Sequence, residues 1–360
     1  MRRPSQALAK YRRGLASVIL GAFLAACSAT PAPSAPSSTA PSVAATSGLA
    51  LKEYITEPIG KDNVEAITFS PDGKRLAIGA ADGVLAIYTV EKHDEEPLVA
   101  QLHGGFVSGL AWSPDGTQIL SAAADGSVRQ ARGDKLQVIH SYTAFPGSHP
   151  AVAWSADGRQ LALAPGRNAI QVFDAADGSL IETFDLPNAT TRALWWLPGG
   201  DIVASDDTGQ VSFFAHGQTK AARSFKPSPS RKSVNSLSLS PNGASLAVGY
   251  DDGSVVLLDP ATAKQTRELV KGRQLGTATF SPNSRLIAVS SVAFDLKLFD
   301  AEGKLVAKED VGYDVNGTAW SSDGKYLAAG TDAHDFRIWQ LVPPQTPSRP
   351  VPAGPAYMGR

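Results

Sequence analysis

One stretch of this sequence recurs along the chain, and its first copy reads Phe69-Ser70-Pro71-Asp72-Gly73-Lys74-Arg75-Leu76-Ala77. Proline at the second position of a tight turn and glycine at the fourth are the residues that such a turn favours. Equivalent turns begin at Ser113, Ser155, Leu197, Ser240, Ser281 and Ser321. The seven starts lie 43, 42, 42, 43, 41 and 40 residues apart. Seven units with one period indicate a repeat architecture.

A second turn follows at a matching offset in every unit. Its central residue is Gly83, Gly126, Asn168, Gly209, Gly253, Phe294 or His334. Most of these are residue types that tolerate a positive φ, which indicates that the units share a backbone. Short apolar stretches between the turns, such as Val255–Leu258, supply about four strands per unit. The sequence therefore predicts an all-β fold, a seven-bladed β-propeller of four-stranded antiparallel blades.

The stretches 69–77 and Tyr250–Val255 resemble the WD-repeat propeller family, and the resemblance covers roughly residues 50–341. The Trp-Asp pair of that family is replaced by Phe173-Asp174, Leu258-Asp259, Phe299-Asp300 and Trp339-Gln340. The usual Gly-His pair before the first strand is absent. This departure leaves the family's buried Asp-His-Ser-Trp hydrogen-bond network in doubt.

The two ends of the repeated region are expected to meet. The seventh unit supplies three strands, near Val315–Trp320, Tyr326–Gly330 and Phe336–Leu341, before the chain runs into prolines. The stretch Leu49–Thr56 precedes the first unit and has no blade of its own. The resemblance implies that it forms the outer strand of the last blade, which closes the ring and removes a sheet edge.

The N-terminus has the pattern of an export signal. Five basic residues precede an apolar run over residues 14–26, which ends in Leu24-Ala25-Ala26-Cys27. A helix of 13 residues spans about 20 Å, short of the roughly 30 Å hydrocarbon core, so a permanent transmembrane anchor is the weaker interpretation. The ending resembles a bacterial lipobox, which implies lipid attachment at the thiol of Cys27. An ordinary signal peptide with a chance cysteine remains the alternative.

The chain is divided accordingly into a signal peptide (1–26), a lipidated cysteine with a disordered tether (27–48), a propeller (49–342) and a disordered, proline-rich tail (343–360). The tether and the tail are rich in small residues and proline. In lipoproteins of double-membraned bacteria, Asp after the cysteine favours retention at the inner membrane. Ser28 stands there, so the resemblance implies an outer-membrane lipoprotein facing the periplasm.

The charge balance bears on the partners. Of 33 basic residues, five lie within 1–26, which leaves 28 against 34 acidic residues, a net charge of −6 for the mature chain. A mildly acidic protein is not built to hold nucleic acid over a broad face. We expect a monomeric propeller that binds other envelope proteins or peptides and no nucleic acid.

Signatures of catalysis were sought along the chain. The six histidines are scattered without metal-ligand spacing, and neither a nucleophile elbow nor a phosphate-binding loop is present. The Asp-Gly pairs fall at turns where the carboxylate caps the backbone. The sequence therefore predicts no metal, no cofactor and no enzymatic activity. The alternative is a propeller enzyme of the lactonase or dehydrogenase kind, with a site at the channel mouth.

Four of the six tryptophans occupy one position, immediately before the first turn. They are Trp112, Trp154, Trp196 and Trp320, and the same position holds Phe69, Leu239 and Phe280 in the other units. This repetition predicts packing rather than a cofactor site. Trp195 is the exception, because its equivalents are all small. It either fills a gap between blades or presents its ring near the central channel.

The candidate binding face is predicted from the units that depart from the repeat. Ser284 and Phe294 replace the usual residues of the two turns in unit six, and a bulky aromatic is unfavourable at positive φ, so we expect that loop to change shape. The resemblance implies that this turn shares a face with the linkers between units. The candidate residues are Tyr250, Arg273, Phe294, Tyr313 and His334. Aromatic and arginine side chains are enriched at interface hot spots. The alternative is that Phe294 folds inward and the others are scattered surface residues.

Overall fold

The computed structural model describes residues 49–59, 62–147, 150–226, 233–270, 277–290 and 294–342. The described residues form 27 strands and one short 3₁₀ turn, Val90–Lys92. The strands in chain order are β1 (Ala50–Pro58), β2 (Val64–Phe69), β3 (Arg75–Ala80), β4 (Val84–Thr89), β5 (Leu98–Gln101), β6 (Val107–Trp112), β7 (Gln118–Ala123), β8 (Ser127–Arg132), β9 (Val138–Thr143), β10 (Ala151–Trp154), β11 (Gln160–Ala164), β12 (Arg167–Asp174), β13 (Leu180–Trp196), β14 (Ile202–Asp206), β15 (Val211–Phe214), β16 (Arg223–Phe225), β17 (Val234–Leu239), β18 (Leu246–Tyr250), β19 (Val255–Asp259), β20 (Lys264–Val270), β21 (Thr277–Phe280), β22 (Leu286–Ser290), β23 (Asp295–Asp300), β24 (Leu305–Asp310), β25 (Val315–Trp320), β26 (Tyr326–Thr331) and β27 (Asp335–Val342).

These strands build seven four-stranded antiparallel blades, which confirms the predicted all-β propeller. Blade 1 begins at β2. Each later blade begins at the strand that immediately precedes its own first turn, and these inner strands are β6, β10, β13, β17, β21 and β25. Blades 3 and 4 share the 17-residue strand β13, which is the outer strand of blade 3 and then the inner strand of blade 4. Each blade buries apolar residues against the next, so the core is a series of layers between blades.

The ring closes by exchange of a strand between the two ends of the propeller. Strand β1 pairs antiparallel with β27, from Ala50 opposite Val342 to Pro58 opposite Asp335. It thereby becomes the outer strand of blade 7, in the order β1-β27-β26-β25. Ile55 is buried in the layer between blades 7 and 1. The predicted role of Leu49–Thr56 is confirmed, with the strand extending to Pro58.

The first turn is held by its own serine in six blades, whereas blade 4 has Leu197 at that position. In blade 2 the Ser113 hydroxyl donates to Oδ1 of Asp115 at 2.6 Å and accepts from the backbone N of Gln118 at 2.9 Å. The same contacts recur around Ser70, Ser155, Ser240, Ser281 and Ser321, with Asn in place of Asp in two blades. The aspartates of these turns therefore cap the backbone, as predicted.

The central residue of the second turn has a left-handed backbone in all seven blades. Its φ is positive throughout, and Phe294 and His334 both have a φ of 62°. Phe294 therefore keeps the backbone conformation of its equivalents, whereas residues 291–293 of the same loop lie outside the described residues, so the predicted change of loop shape stays a prediction. The backbone is held on both sides, because β22 and β23 pair directly and the Phe294 carbonyl accepts from the backbone N of Val311 at 2.7 Å. These contacts outweigh the steric cost of an aromatic residue at positive φ.

The tryptophan position joins neighbouring blades. The indole N–H of Trp154 donates to the Ala111 carbonyl of the preceding blade at 3.1 Å, and Trp112 and Trp320 make the equivalent bonds. The packing prediction is confirmed for these rings. Trp195 is 39% exposed on the inner strand of blade 4, so it presents its ring to solvent near the channel and does not fill a gap between blades.

Candidate binding face

The two faces of the ring carry different connections. Because the strands of a blade alternate in direction, the second turns and the linkers between blades share one face, which we call the linker face. The first turns and the connections to the outer strands share the other, which we call the turn face. Among the described candidate residues, Phe294 and His334 stand at second turns and Tyr313 stands in a linker, so these three belong to the linker face.

Two exposed aromatic residues of the linker face, Phe294 and Tyr313, lie on either side of Val311, and we call them the aromatic pair. Each side chain is 47% exposed. Val311 connects them, because its backbone N donates to the Phe294 carbonyl and its carbonyl accepts from Nη1 of Arg337 at 2.8 Å. The guanidinium of Arg337 lies 5.6 Å from the centroid of the Tyr313 ring. The exposure of Phe294 makes the inward-folded alternative wrong.

His334 joins the same region through its backbone. Its side chain is exposed, and its carbonyl accepts from the backbone N of Ile59 at 2.9 Å. The next residue, Asp335, forms an ion pair with Nη2 of Arg337 at 3.5 Å. The structure thus brings Phe294, Tyr313 and His334 to adjacent blades of one face.

Tyr250 does not belong to this surface, and its assignment as a binding residue is wrong. Its side chain is fully buried between blades 4 and 5, in a layer with Val211, Phe213 and Val248. Tyr250 is the last residue of β18, whose alternate residues from Leu246 onward face that layer. This period of two was visible in the sequence and predicts the burial. Arg273 and Cys27 lie outside the described residues.

Sequence reasoning missed a second set of residues on the linker face. The inner strands of five blades contain a register shift near their first residue, and the residues passed over are Glu65, Ser108, Arg192, Asn235 and Asn316. All five stand five positions before the first turn. A β-bulge redirects the side chain of its extra residue, and such bulges are common beside functional sites. A polar residue five positions before the first turn is the sequence signal that could have predicted these bulges.

Three carboxylates lie together where blades 7 and 1 meet, and we call Glu65, Asp314 and Asp332 the carboxylate group. Burial raises the pKa of Glu65, and the negative charge of Asp332 raises it further. The same two causes, in the same order, raise the pKa of Asp314. Asn316 donates from Nδ2 to Oδ1 of Asp332 at 2.7 Å and to the Val64 carbonyl at 3.1 Å.

Blade 2 contains the Asp, His and Ser members of the buried Asp-His-Ser-Trp hydrogen-bond network, which the absence of a Gly-His pair had left in doubt. His103 is buried, with Nδ1 2.7 Å from the Ser127 hydroxyl and Nε2 2.7 Å from the Ser121 hydroxyl. Ser127 donates its proton to Asp125, so it accepts from Nδ1–H, and the unprotonated Nε2 accepts from Ser121. Burial lowers the pKa of His103 to about 4. The histidine stands in the sequence Leu102-His103-Gly104, where no glycine precedes it, so the Gly-His pattern does not detect it.

Two further searches bear on the expected chemistry. Among the described residues there is no group of three or more His, Cys, Asp or Glu side chains arranged to hold a metal ion. Within the same residues, no helix has the length and apolar character needed to cross a membrane. The absence of a metal, a cofactor and enzymatic activity stays a prediction.

The geometry defines the class of this protein as a seven-bladed β-propeller, and comparison identifies its repeats. The family described as WD domain, G-beta repeat matches residues 53–89, 97–130, 220–259 and 306–340. Each matched segment holds the outer strand of one blade and the first three strands of the next. Four segments of the propeller are thus similar in sequence to WD repeats.

Two relatives have similar sequences. THO complex subunit 3 of Arabidopsis thaliana is 26% identical over 186 residues, which cover 52% of this chain and 58% of that protein. Cross-pathway control WD-repeat protein 2 of Flammulina velutipes is 32% identical over 120 residues, 30% of this chain and 38% of that protein. The chain thus spans less than two thirds of the length of either relative.

Proposed function

We propose that this chain is a protein- or peptide-binding scaffold, catalyses no reaction, and is held at the cell envelope by a lipid on Cys27. WD-repeat propellers typically act as interaction scaffolds, and the name of the Arabidopsis relative describes a subunit of a complex. The aromatic pair Phe294 and Tyr313 carries the proposal, because two half-exposed rings lie on a rigid backbone unit of the linker face. Rings held in this way bind a partner with little loss of side-chain entropy.

Replacing Phe294 with Ala is expected to weaken partner binding at least about tenfold while leaving the melting temperature nearly unchanged, since the ring is half exposed. A photo-crosslinking amino acid at position 294 in intact cells should give a discrete adduct, and the partner identified from it serves for the affinity measurement. Leu305 is the matched control, because it is 43% exposed on the turn face of the same blade. Equal adducts from positions 294 and 305, or unchanged affinity of F294A, would contradict the proposal.

Cys27 is expected to be the first residue of the mature chain and to carry a diacylglyceryl group on its sulfur, because the flanking sequence resembles a lipobox. Mass spectrometry of the N-terminal peptide from isolated membranes measures this directly. The Cys27→Ser variant should accumulate with residues 1–26 attached and without lipid. A mature, membrane-free form with an unmodified Cys27 would refute the anchoring, and fractionation of the two bacterial membranes tests the proposed outer-membrane location.

A further inference from the structure

The aromatic pair and the carboxylate group form one continuous strip of the linker face. Tyr313 precedes Asp314 in the chain, and the carbonyl of Asp314 accepts from the backbone N of Asp332 at 3.2 Å. Asn316 donates from Nδ2 both to Asp332 and to the carbonyl of Val64, the residue before Glu65 of blade 1. The strip thus runs from two exposed rings on blades 6 and 7 to the three carboxylates where blades 7 and 1 meet.

The charges along this strip are unbalanced. The negative charge of Asp332 raises the pKa of both Glu65 and Asp314, and no cation of the described residues lowers the pKa of either. Three cations of blades 6 and 7 have partners other than the carboxylate group. Arg337 is bound to Asp335 and the Val311 carbonyl, and Lys297 and Lys308 both pair with Asp295. The carboxylate group therefore presents negative charge to a partner that docks on it.

The outer strands beside the strip also carry acidic side chains. Burial raises the pKa of Glu309, and Glu53 and Asp310 raise it further, against the opposing effect of Arg337. On a different sector of the inner strands, the bulge residues are Arg192 of blade 4 and Asn235 of blade 5. Both have a buried side-chain nitrogen without a hydrogen-bond partner among the described residues. The bulge residues of blades 4 and 5 are thus not acidic, in contrast to Glu65 of blade 1.

We propose that a basic segment of a partner protein docks on this strip, with an apolar side chain against Phe294 and Tyr313 and a neighbouring Lys or Arg at the carboxylate group. This inference rests on the proposed scaffold function and adds the chemistry of the partner. An aromatic surface next to carboxylates selects such a segment because apolar contact supplies affinity and opposite charge supplies register and rate of encounter.

The test uses the full chain in detergent and an array of immobilised heptapeptides of random sequence. Retained peptides should be enriched in Lys or Arg beside an apolar residue and depleted of Asp and Glu. The triple variant Glu65→Gln, Asp314→Asn, Asp332→Asn should bind the strongest peptide about tenfold more weakly and lose most of its dependence on KCl. The same variant should keep or raise the melting temperature, because it removes mutual repulsion.

The matched control changes three exposed carboxylates on the turn face, Glu91→Gln, Glu96→Gln and Glu302→Gln. It alters the net charge equally and should leave peptide affinity unchanged. The inference would be overturned if the retained peptides were not enriched in basic residues and if their binding needed Phe294 but not the carboxylates. The proposed scaffold function would then still hold. Displacement of the peptide by CaCl₂ but not by KCl of equal ionic strength would also overturn it, since the carboxylates would then serve a divalent cation. An array that retains nothing rejects the basic segment, whereas crosslinking at Phe294 tests the scaffold function separately.

Discussion

Deleting Leu49–Thr56 is expected to lower the melting temperature of the propeller by about 10 °C or more. The deletion removes six of the eight positions at which β1 pairs with β27, and with them the buried side chain of Ile55. Backbone hydrogen bonds contribute roughly 1 kcal/mol each and burial of an isoleucine roughly 2 kcal/mol, so the loss is on the order of 5 kcal/mol or more. It also exposes the edge of β27, which favours aggregation. Calorimetry and light scattering measure both effects.

The control deletes residues 41–48, an equal length of chain immediately before β1. That variant should melt like the unchanged protein. Ile55→Asp provides a second approach, since it keeps the strand length and places a charge in the layer between blades 7 and 1. A melting temperature that stays constant in both the Leu49–Thr56 deletion and I55D would mean that strand exchange does not stabilise the ring.

Acidification from pH 6.5 to 4 is expected to lower the free energy of unfolding by about 3 kcal/mol through His103 alone. Burial holds the pKa of this histidine at about 4 in the folded protein, against about 6.5 in an unfolded chain. Between these values the unfolded chain binds a proton that the folded protein does not, so stability falls as the pH falls. Above about pH 7.5 His103 is neutral in both states and adds almost no pH dependence.

Denaturant unfolding at a series of pH values compares the unchanged protein with His103→Gln. The variant should be less stable at pH 7, because it disturbs the bonds to Ser121 and Ser127, but its stability should fall less steeply between pH 6.5 and 4. His140→Gln, on the outer strand of the same blade, is the control and should retain the full slope. Parallel curves for the unchanged protein and H103Q would show that His103 is not the group responsible.

The sequence alone determined the architecture, because the architecture depends on local backbone chemistry repeated at one period. The serine turns and the positive φ of the second turn follow from residues close together in the chain. The serine turn and the positive φ of the second turn are both kept in blade 6, where Ser284 and Phe294 replace glycine. The strand exchange was predictable as well, since Leu49–Thr56 was the single strand left without a blade.

Only the tertiary structure decided which side chains reach the surface and which meet. Tyr250 is buried because blade 4 covers it, whereas Phe294 and Tyr313 remain exposed beside Arg337. The hydrogen bond from Asn316 to the Val64 carbonyl joins residues from opposite ends of the propeller sequence. Such contacts depend on how neighbouring blades pack and on bulges that redirect single side chains. Neither is encoded in the period of the turns, which is why the sequence predicted the ring more fully than its binding face.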